Sequence, residues 1–542
     1  MNRRRRVVPI PCRSLFPELA ALLLVALAAP AGAQLQLLGY QWLSQNVSGV
    51  DGAPELGDLF GSSLAAGDFN CDGYDDLAVG VPHEDEDGVT RSGAVNVLYG
   101  GPAGLTGGEL WSQADNGVPS SNEPFDQFGE VLEAFYRNRD AFMCDSLAVG
   151  APNEAANGED IDDAGAVWIF RGTASGLVPD GILVQGQDGV PESAEAGDRF
   201  GASISQGPLT GDPDDCTPVE TPTSLLIGAP GEGLGLGDNG HGAVVRITMP
   251  CDTAGGGVGS LPSFVVCELF QEEPCRVLTA SSFDLPVDLD PYDGFGGSLA
   301  FLRHDADAGW NGGDPIVGVP DANEAGGSAS IGAFLESERN WAAVGSQYWT
   351  QDSSGVQQVA EASDHFAEVL EEGDFDGDGD EDLAIGTPRE SGGADIDVGV
   401  VHALYSTGTA PSKELTATGD FLAAQGDLAG EATEAYDEFG GALAAGDFDG
   451  DGVDDLAVGI PGEDLSSPRV VADAGKVNVL FGVAGTGLST AGARNFDGDD
   501  LFFNGANASG YFGSALAAGD FDGNGIDDLA IGEPGDSTLD NS

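Results

Sequence analysis

Positive charge is scarce in this chain. Nineteen Lys and Arg stand against 91 Asp and Glu, a formal net charge of −72 over 542 residues. So acidic a surface repels phosphate backbones and anionic lipid, which argues against a nucleic-acid partner. Methionine is rarer still, at three residues beside 85 glycines, a balance that points to many turns and few helices. Beyond residue 33 no run approaches the ~20 apolar residues of a membrane-spanning helix. Cys-x-x-Cys is absent, so neither zinc nor a dithiol redox motif is supported. The five histidines, His83, His241, His304, His365 and His402, share no motif and are expected in turns or at the surface. Nor is there a Gly-x-Ser-x-Gly elbow, a phosphate loop or a His-Glu-x-x-His, so no enzyme activity is expected.

What the chain does contain is one acidic stretch four times over. Asp447-Phe-Asp449-Gly-Asp451-Gly-Val453-Asp-Asp455 runs into the apolar Leu456-Ala-Val-Gly459. The same frame holds Asp68, Asn70, Asp72, Tyr74 and Asp76 before Leu77-Ala-Val-Gly80. It recurs with Asp374, Asp376, Asp378, Asp380 and Asp382, and with Asp520, Asp522, Asn524, Ile526 and Asp528. Each copy offers side-chain oxygens at loop positions one, three, five and nine and a backbone carbonyl at seven. Hard cations take several oxygen ligands from tight, glycine-bearing turns, so Ca²⁺ is the expected occupant, at about four sites. An EF-hand would need a bidentate Glu at position twelve on an exiting helix. That position holds Val79, Ile385, Val458 and Ile531, each in a β-branched run, so the loop joins two strands.

Residues 1–33 read as a secretory leader. Arg3-Arg4-Arg5-Arg6 precedes the apolar Leu19–Ala29, and Ala31-Gly32-Ala33 supplies a cleavage site before Gln34. Six cysteines then remain in an exported chain, enough for three disulfides with 15 connectivities. Cys251, Cys267 and Cys275 crowd one insertion, where a local bridge is expected. Cys71 and Cys144 lie in neighbouring units and could pair. Asn46-Val-Ser48 and Asn507-Ala-Ser509 match the glycosylation sequon.

A Phe, followed by Gly in all but one case, announces each unit: Phe60, Phe128, Phe200, Phe295, Phe366, Phe439 and Phe512. The intervals of 68, 72, 95, 71, 73 and 73 residues mark seven units. Four strand-length apolar runs recur per unit, the first set lying near Tyr40–Leu43, Ser63–Ala66, Leu77–Val79 and Ala94–Tyr99. Seven all-β units of four strands predict a seven-bladed β-propeller over residues 34–542. Phe-Gly, the Asp-Phe-Asp-Gly-Asp-Gly loop, Leu-Ala-Val-Gly and a following Pro closely resemble the FG-GAP repeats of the integrin α-subunit β-propeller. That resemblance implies calcium in loops on one face and partners engaged elsewhere, chiefly on the opposite face.

Three units depart from the loop pattern. Phe142 and Ser146 replace ligands in the second, Ser224 in the third, and Trp310 disrupts the spacing of Asp305, Asp307 and Asp314 in the fourth. The calcium units are then the first, fifth, sixth and seventh, one continuous arc if the ring closes. The last unit ends at Ser542 without its Gly-x-Val-x-Val strand, and Leu35-Gln-Leu-Leu38 is expected to fill the gap, with a truncated blade as the alternative. The functional expectation is a secreted or cell-surface, monomeric calcium-binding module for adhesion or recognition of an extracellular protein or glycan. A propeller hydrolase or lyase and a purely structural matrix part are the alternatives.

Overall fold

The computed structural model describes residues 22–26, 40–115, 117–136, 144–155, 161–187, 190–207, 223–233, 241–249, 275–278, 293–302, 314–324, 328–333, 347–361, 363–392, 396–407, 414–428, 432–465, 470–498 and 508–535. These residues form an all-β propeller. Their strands make seven four-stranded antiparallel sheets, and the described helical content is confined to short turns such as the 3-10 segments Glu86–Gly88 and Gln425–Asp427. We name each sheet by the Phe that precedes its first strand. The Phe60 sheet orders Leu64–Gly67, Asp76–Val81, Ala94–Tyr99 and Thr106–Trp111 by sequence and by hydrogen bonding.

First strands lie side by side from sheet to sheet. Leu64–Gly67 adjoins Val131–Tyr136, which adjoins Ser203–Gly207, and so on to Leu516–Gly519, which adjoins Leu64–Gly67 again. In the four sheets that carry an acidic loop the second strand is buried along its whole length. Asp76–Val81, Asp382–Thr387, Asp455–Ile460 and Asp528–Glu533 each expose no residue, which is why Leu-Ala-Val-Gly lacks the alternation of a half-solvated strand. All seven marker phenylalanines are fully buried. The core belongs to the seams: Phe128 meets Trp168 of its own sheet edge-on at 5.2 Å, and both cluster with Val95 and Val97 of the Phe60 sheet.

Glycine is required where the seams are tightest. Gly93, at φ 86°, passes under the Phe128 backbone, and Gly475, at φ 82°, does the same at Phe512. A Cβ on Gly93 would lie 2.3 Å from the Phe128 carbonyl oxygen, and one on Gly475 2.2 Å from that of Phe512. No side chain fits there in either conformation or space.

Two expectations need correction. Gln41–Leu43 does not join the first unit but forms the outer strand of the Phe512 sheet, because the run before each Phe completes the sheet behind it. The gap in that sheet is filled from the N-terminal side, as favoured, but by Leu22–Ala26 and not by Leu35–Leu38. Leu24 pairs with Ile531 on one side and Trp42 on the other. The open edge of Asp528–Glu533 accepts any apolar strand of sufficient length, and the expected leader contains one. Residues 35–38 lie outside the described residues, as do Cys251, Cys267, Phe142 and Trp310.

Candidate metal centre

Each acidic loop links the first strand of a sheet to the second, so all four project from the same end of the sheets. The loop closes on itself through position one. Asp447 accepts the N–H groups of Gly450, Asp451 and Gly452 at 2.8, 3.0 and 2.9 Å, and Asp374 and Asp520 accept in the same way. Two left-handed residues make that turn possible, Gly450 at φ 76° and Gly452 at φ 86°. Cys71 takes the first of these positions in the Phe60 loop at φ 60°, a conformation costing roughly 1–2 kcal/mol for a side-chain-bearing residue. It is held there by a disulfide to Cys144 of the next sheet, Cα–Cα 4.7 Å, one of the pairings the sequence left open.

Position nine is the buried floor of the site. Asp455 accepts from Phe448 N at 3.1 Å and Gly482 N at 2.9 Å, and Asp382 from Phe375 N at 3.1 Å and Ser406 N at 2.8 Å. Asp76 makes the equivalent pair with Phe69 and Gly100. Burial pushes the carboxyls of Asp76, Asp382 and Asp455 up to about 8, against the pull of the amides, with the neighbouring aspartates raising them further.

Positions one, three and nine converge. In Asp374, Asp376 and Asp382, in Asp447, Asp449 and Asp455, and in Asp520, Asp522 and Asp528, one oxygen from each lies within 4.8 Å of the others. At an effective dielectric of about 20, two carboxylates at that spacing repel by roughly 3 kcal/mol. The Phe60 loop has Asn70 at position three, next to Asp68 and Asp76. Asn70 Oδ1 and Asp449 Oδ1 are buried and without a hydrogen-bond partner. Asn70 Nδ2 donates to Asp76 Oδ1 at 3.4 Å in the Phe60 loop, and a cluster of carboxyl oxygens with orphaned lone pairs fits a hard cation.

Position five stands outside these groups. Asp72, Asp378, Asp451 and Asn524 are exposed at the rim, where Asp378 and Asp451 accept the N–H of position seven at 3.0 Å. At position seven the carbonyls belong to Tyr74, Asp380, Val453 and Ile526. Their side chains serve packing: Val453 lies over Gly377 of the preceding loop and the Tyr74 ring over Gly523.

Position eight was missed. Asp454 Oδ2 accepts from Asp374 N at 2.9 Å, Asp527 Oδ2 from Asp447 N at 3.0 Å, and Asp75 Oδ2 from Asp520 N at 2.9 Å. Each donates its own N–H back to the carbonyl of the same partner. Asp145, in the sheet whose loop has lost its ligands, does the same for Asp68 at 2.9 Å. These bridges tie the loop ends of five consecutive sheets, from Phe366 through Phe439, Phe512 and Phe60 to Phe128. The Asp-Asp doublets at 75–76, 454–455 and 527–528 were the available clue. Of the histidines, His402 is not at the surface: it is fully buried in its strand, 3.5 Å from Asp420 and edge-on to Phe366.

A family model described as FG-GAP repeat matches residues 60–98, 439–480 and 512–542. Integrin alpha-PS2 of Drosophila melanogaster is 33% identical over 191 residues, 34% of this chain and 13% of that protein. Integrin alpha-5 of Xenopus laevis is 29% identical over 289 residues, 51% and 23%. Phosphatidylinositol-glycan-specific phospholipase D of Bos taurus is 32% identical over 117 residues, 21% and 14%. The chain therefore spans less than a quarter of the length of these relatives.

Proposed function

The chain carries FG-GAP repeats and is similar to integrin α subunits, and from that premise we propose a calcium-stabilised, seven-bladed recognition module that works outside the cell. The observation that carries the calcium reading is the convergence of positions one, three and nine around orphaned buried oxygens. Asp447, Asp449 and Asp455, and their counterparts in the other three loops, would hold the ion from the protein side. The Val453 carbonyl and its counterparts complete the set. Bound calcium supplies the positive charge that these carboxylates lack. The protein's own contribution is the preformed turn, made by the position-one aspartate and the left-handed glycines.

Seven sheets with adjoining first strands support a closed ring of seven blades. Export is supported by the leader-like residues 1–33 and by similarity to integrin α subunits. Among the described residues no helix is long and apolar enough to cross a membrane. Cleavage before Gln34 would remove Leu22–Ala26, and Leu35–Leu38, joined to Gln41 by Gly39-Tyr40, is then the segment available to fill the open edge. A cavity of about 340 Å³ lies between the outer strand of the Phe512 sheet and the Phe60 sheet, lined by Gln41, Trp42, Leu98 and Leu105 among others, and is a candidate recognition pocket.

Thermal melting of the metal-free chain against added Ca²⁺ tests the reading. Extracellular calcium modules bind with Kd on the order of 10⁻⁴–10⁻³ M, so the melting temperature rises across that range. A melting temperature indifferent to calcium and to EDTA would reject structural calcium.

A further inference from the structure

The strand alternation that sends the acidic loops to one end of the sheets sends a second set of loops to the other. There, five seams share one buried arrangement. A Gln just after the fourth strand of one sheet donates to a Glu just after the second strand of the next. Gln45 Nε2 donates to Glu84 Oε2 at 2.6 Å, Gln113 to Glu154 at 2.6 Å, Gln185 to Glu232 at 2.5 Å and Gln351 to Glu390 at 2.6 Å. Gln425 and Glu463 form the fifth pair. Beside each Glu is a buried Asp two residues before the marker Phe: Asp58, Asp126, Asp198, Asp364 and Asp437. One oxygen of each Asp caps the backbone N–H three residues earlier, at 2.5–2.9 Å.

Two carboxyl groups buried side by side need a compensating positive charge or a proton. The Phe439 seam shows the first solution. Lys476 Nζ lies 2.7 Å from Glu463 Oε1, with both side chains 9% exposed. The other four seams have Ala94, Ala166, Ala243 and Val400 at the position of Lys476, so no ammonium arises there. Their remaining neighbours are acidic. Glu55, Asp85 and Glu86 face the Asp58–Glu84 pair, Glu123 the Asp126–Glu154 pair, Glu192 and Glu195 the Asp198–Glu232 pair, and Glu361 the Asp364–Glu390 pair. Two histidines also lie nearby, His365 beside Asp364 and His83, whose backbone N–H donates to the Asp58 carbonyl, beside the Asp58–Glu84 pair. At the lysine-held seam, Glu434 and Asp464 face Asp437. Gln113 and Ser120 both donate to Glu154, at 2.6 and 2.9 Å. The five Gln Oε1 atoms are buried and unpartnered, placed to accept a hydrogen bond from a carboxylic acid.

We propose that these four seams are proton-held latches, each a carboxylic acid–carboxylate pair clamped by a Gln from the preceding sheet, and that at the fifth Lys476 takes the place of the proton on Glu463. Burial, the largest cause at every pair, raises Glu84 and Glu390 to about 7 and Glu232 to about 8, holds Asp126 and Glu154 well above the ordinary range, and raises Asp437 of the lysine-held seam to about 7. Folded-state values above the unfolded ones mean that the stabilisation is whole in acid. It is lost as pH rises to and through the range of about 7–8. Above it both carboxylates ionise, repel, and free the loops they hold.

Hydrogen exchange on the full chain in saturating calcium, corrected for intrinsic exchange, tests this between pH 6 and pH 9. Protection of the loops after the second strands should fall at least tenfold in the Phe60, Phe128, Phe200 and Phe366 sheets and clearly less in the Phe439 sheet, where Glu463 is held by Lys476. Glu84→Gln, a neutral mimic of the protonated acid, should abolish the pH response of its own seam and leave the other three. Lys476→Ala should enlarge the response of the Phe439 seam to that of the other four. An equal pH response at all five seams, or none at the four, overturns the proposal. So does protection at pH 9 that rises with calcium concentration at these seams, which would assign a cation in place of the proton.

Discussion

The two ends of the sheets face one problem, carboxyl groups crowded where adjacent elements meet, and answer it differently. At the acidic-loop end Asp447, Asp449 and Asp455 leave their oxygens pointing at a shared centre, and a bound cation is the compensation that fits. At the other end a buried Glu takes a hydrogen bond from a Gln of the neighbouring sheet, and in one seam the ammonium of Lys476 as well. The difference lies in donors. The glycine-rich turns aim backbone N–H groups at one aspartate and leave the others free, whereas the Pro-x-Glu turns receive a side-chain amide from the neighbouring sheet. The first end should respond to metal and the second to pH.

Chelation breaks the comparison most severely. Each site at a hundredfold excess of calcium over Kd contributes about 2.7 kcal/mol, so EDTA should lower the melting temperature by on the order of 10 °C. Losing the disulfide comes next. Cys71→Ser, with Cys144→Ser, should cost roughly 2–4 kcal/mol in a denaturant titration and leave calcium sensitivity at the other three loops intact. Asp454→Ala strands the Asp374 N–H and should cost about 1–3 kcal/mol, while also weakening calcium binding in the Phe366 loop. Gln351→Leu, at the other end, should cost about 1 kcal/mol and leave calcium affinity unchanged.

The ends also separate by pH. In EDTA the position-nine carboxyls, raised to about 8, favour the folded chain in acid, and their contribution is lost as pH rises through that value. Saturating calcium should flatten or invert that slope at the acidic loops, because the ion takes only ionised carboxylates. Melting curves at pH 6 and pH 9, with and without calcium, read this directly.

Features repeated along the chain were legible in it. The marker Phe, the Leu-Ala-Val-Gly strand and the spaced aspartates each announce themselves within a dozen residues, and the all-β propeller follows from their recurrence. Contacts across seams were not. Asp520 meets Asp75 across 445 residues of chain, and Gln351 meets Glu390 across 39, with no periodicity to mark either. Sequence spacing does not show that position five lies exposed at the rim while positions one, three and nine converge, because it does not reveal which way a turn aims its side chains. Leu22–Ala26 carried two compatible patterns, a leader core and an inner strand, and the local sequence does not choose between them.

Counting bound calcium by equilibrium dialysis of the metal-free chain tests the central claim most directly. About four ions per chain, released together with thermal stability when EDTA is added, is the result predicted. A folded chain that binds none, with the same melting temperature in calcium and in EDTA, would contradict it.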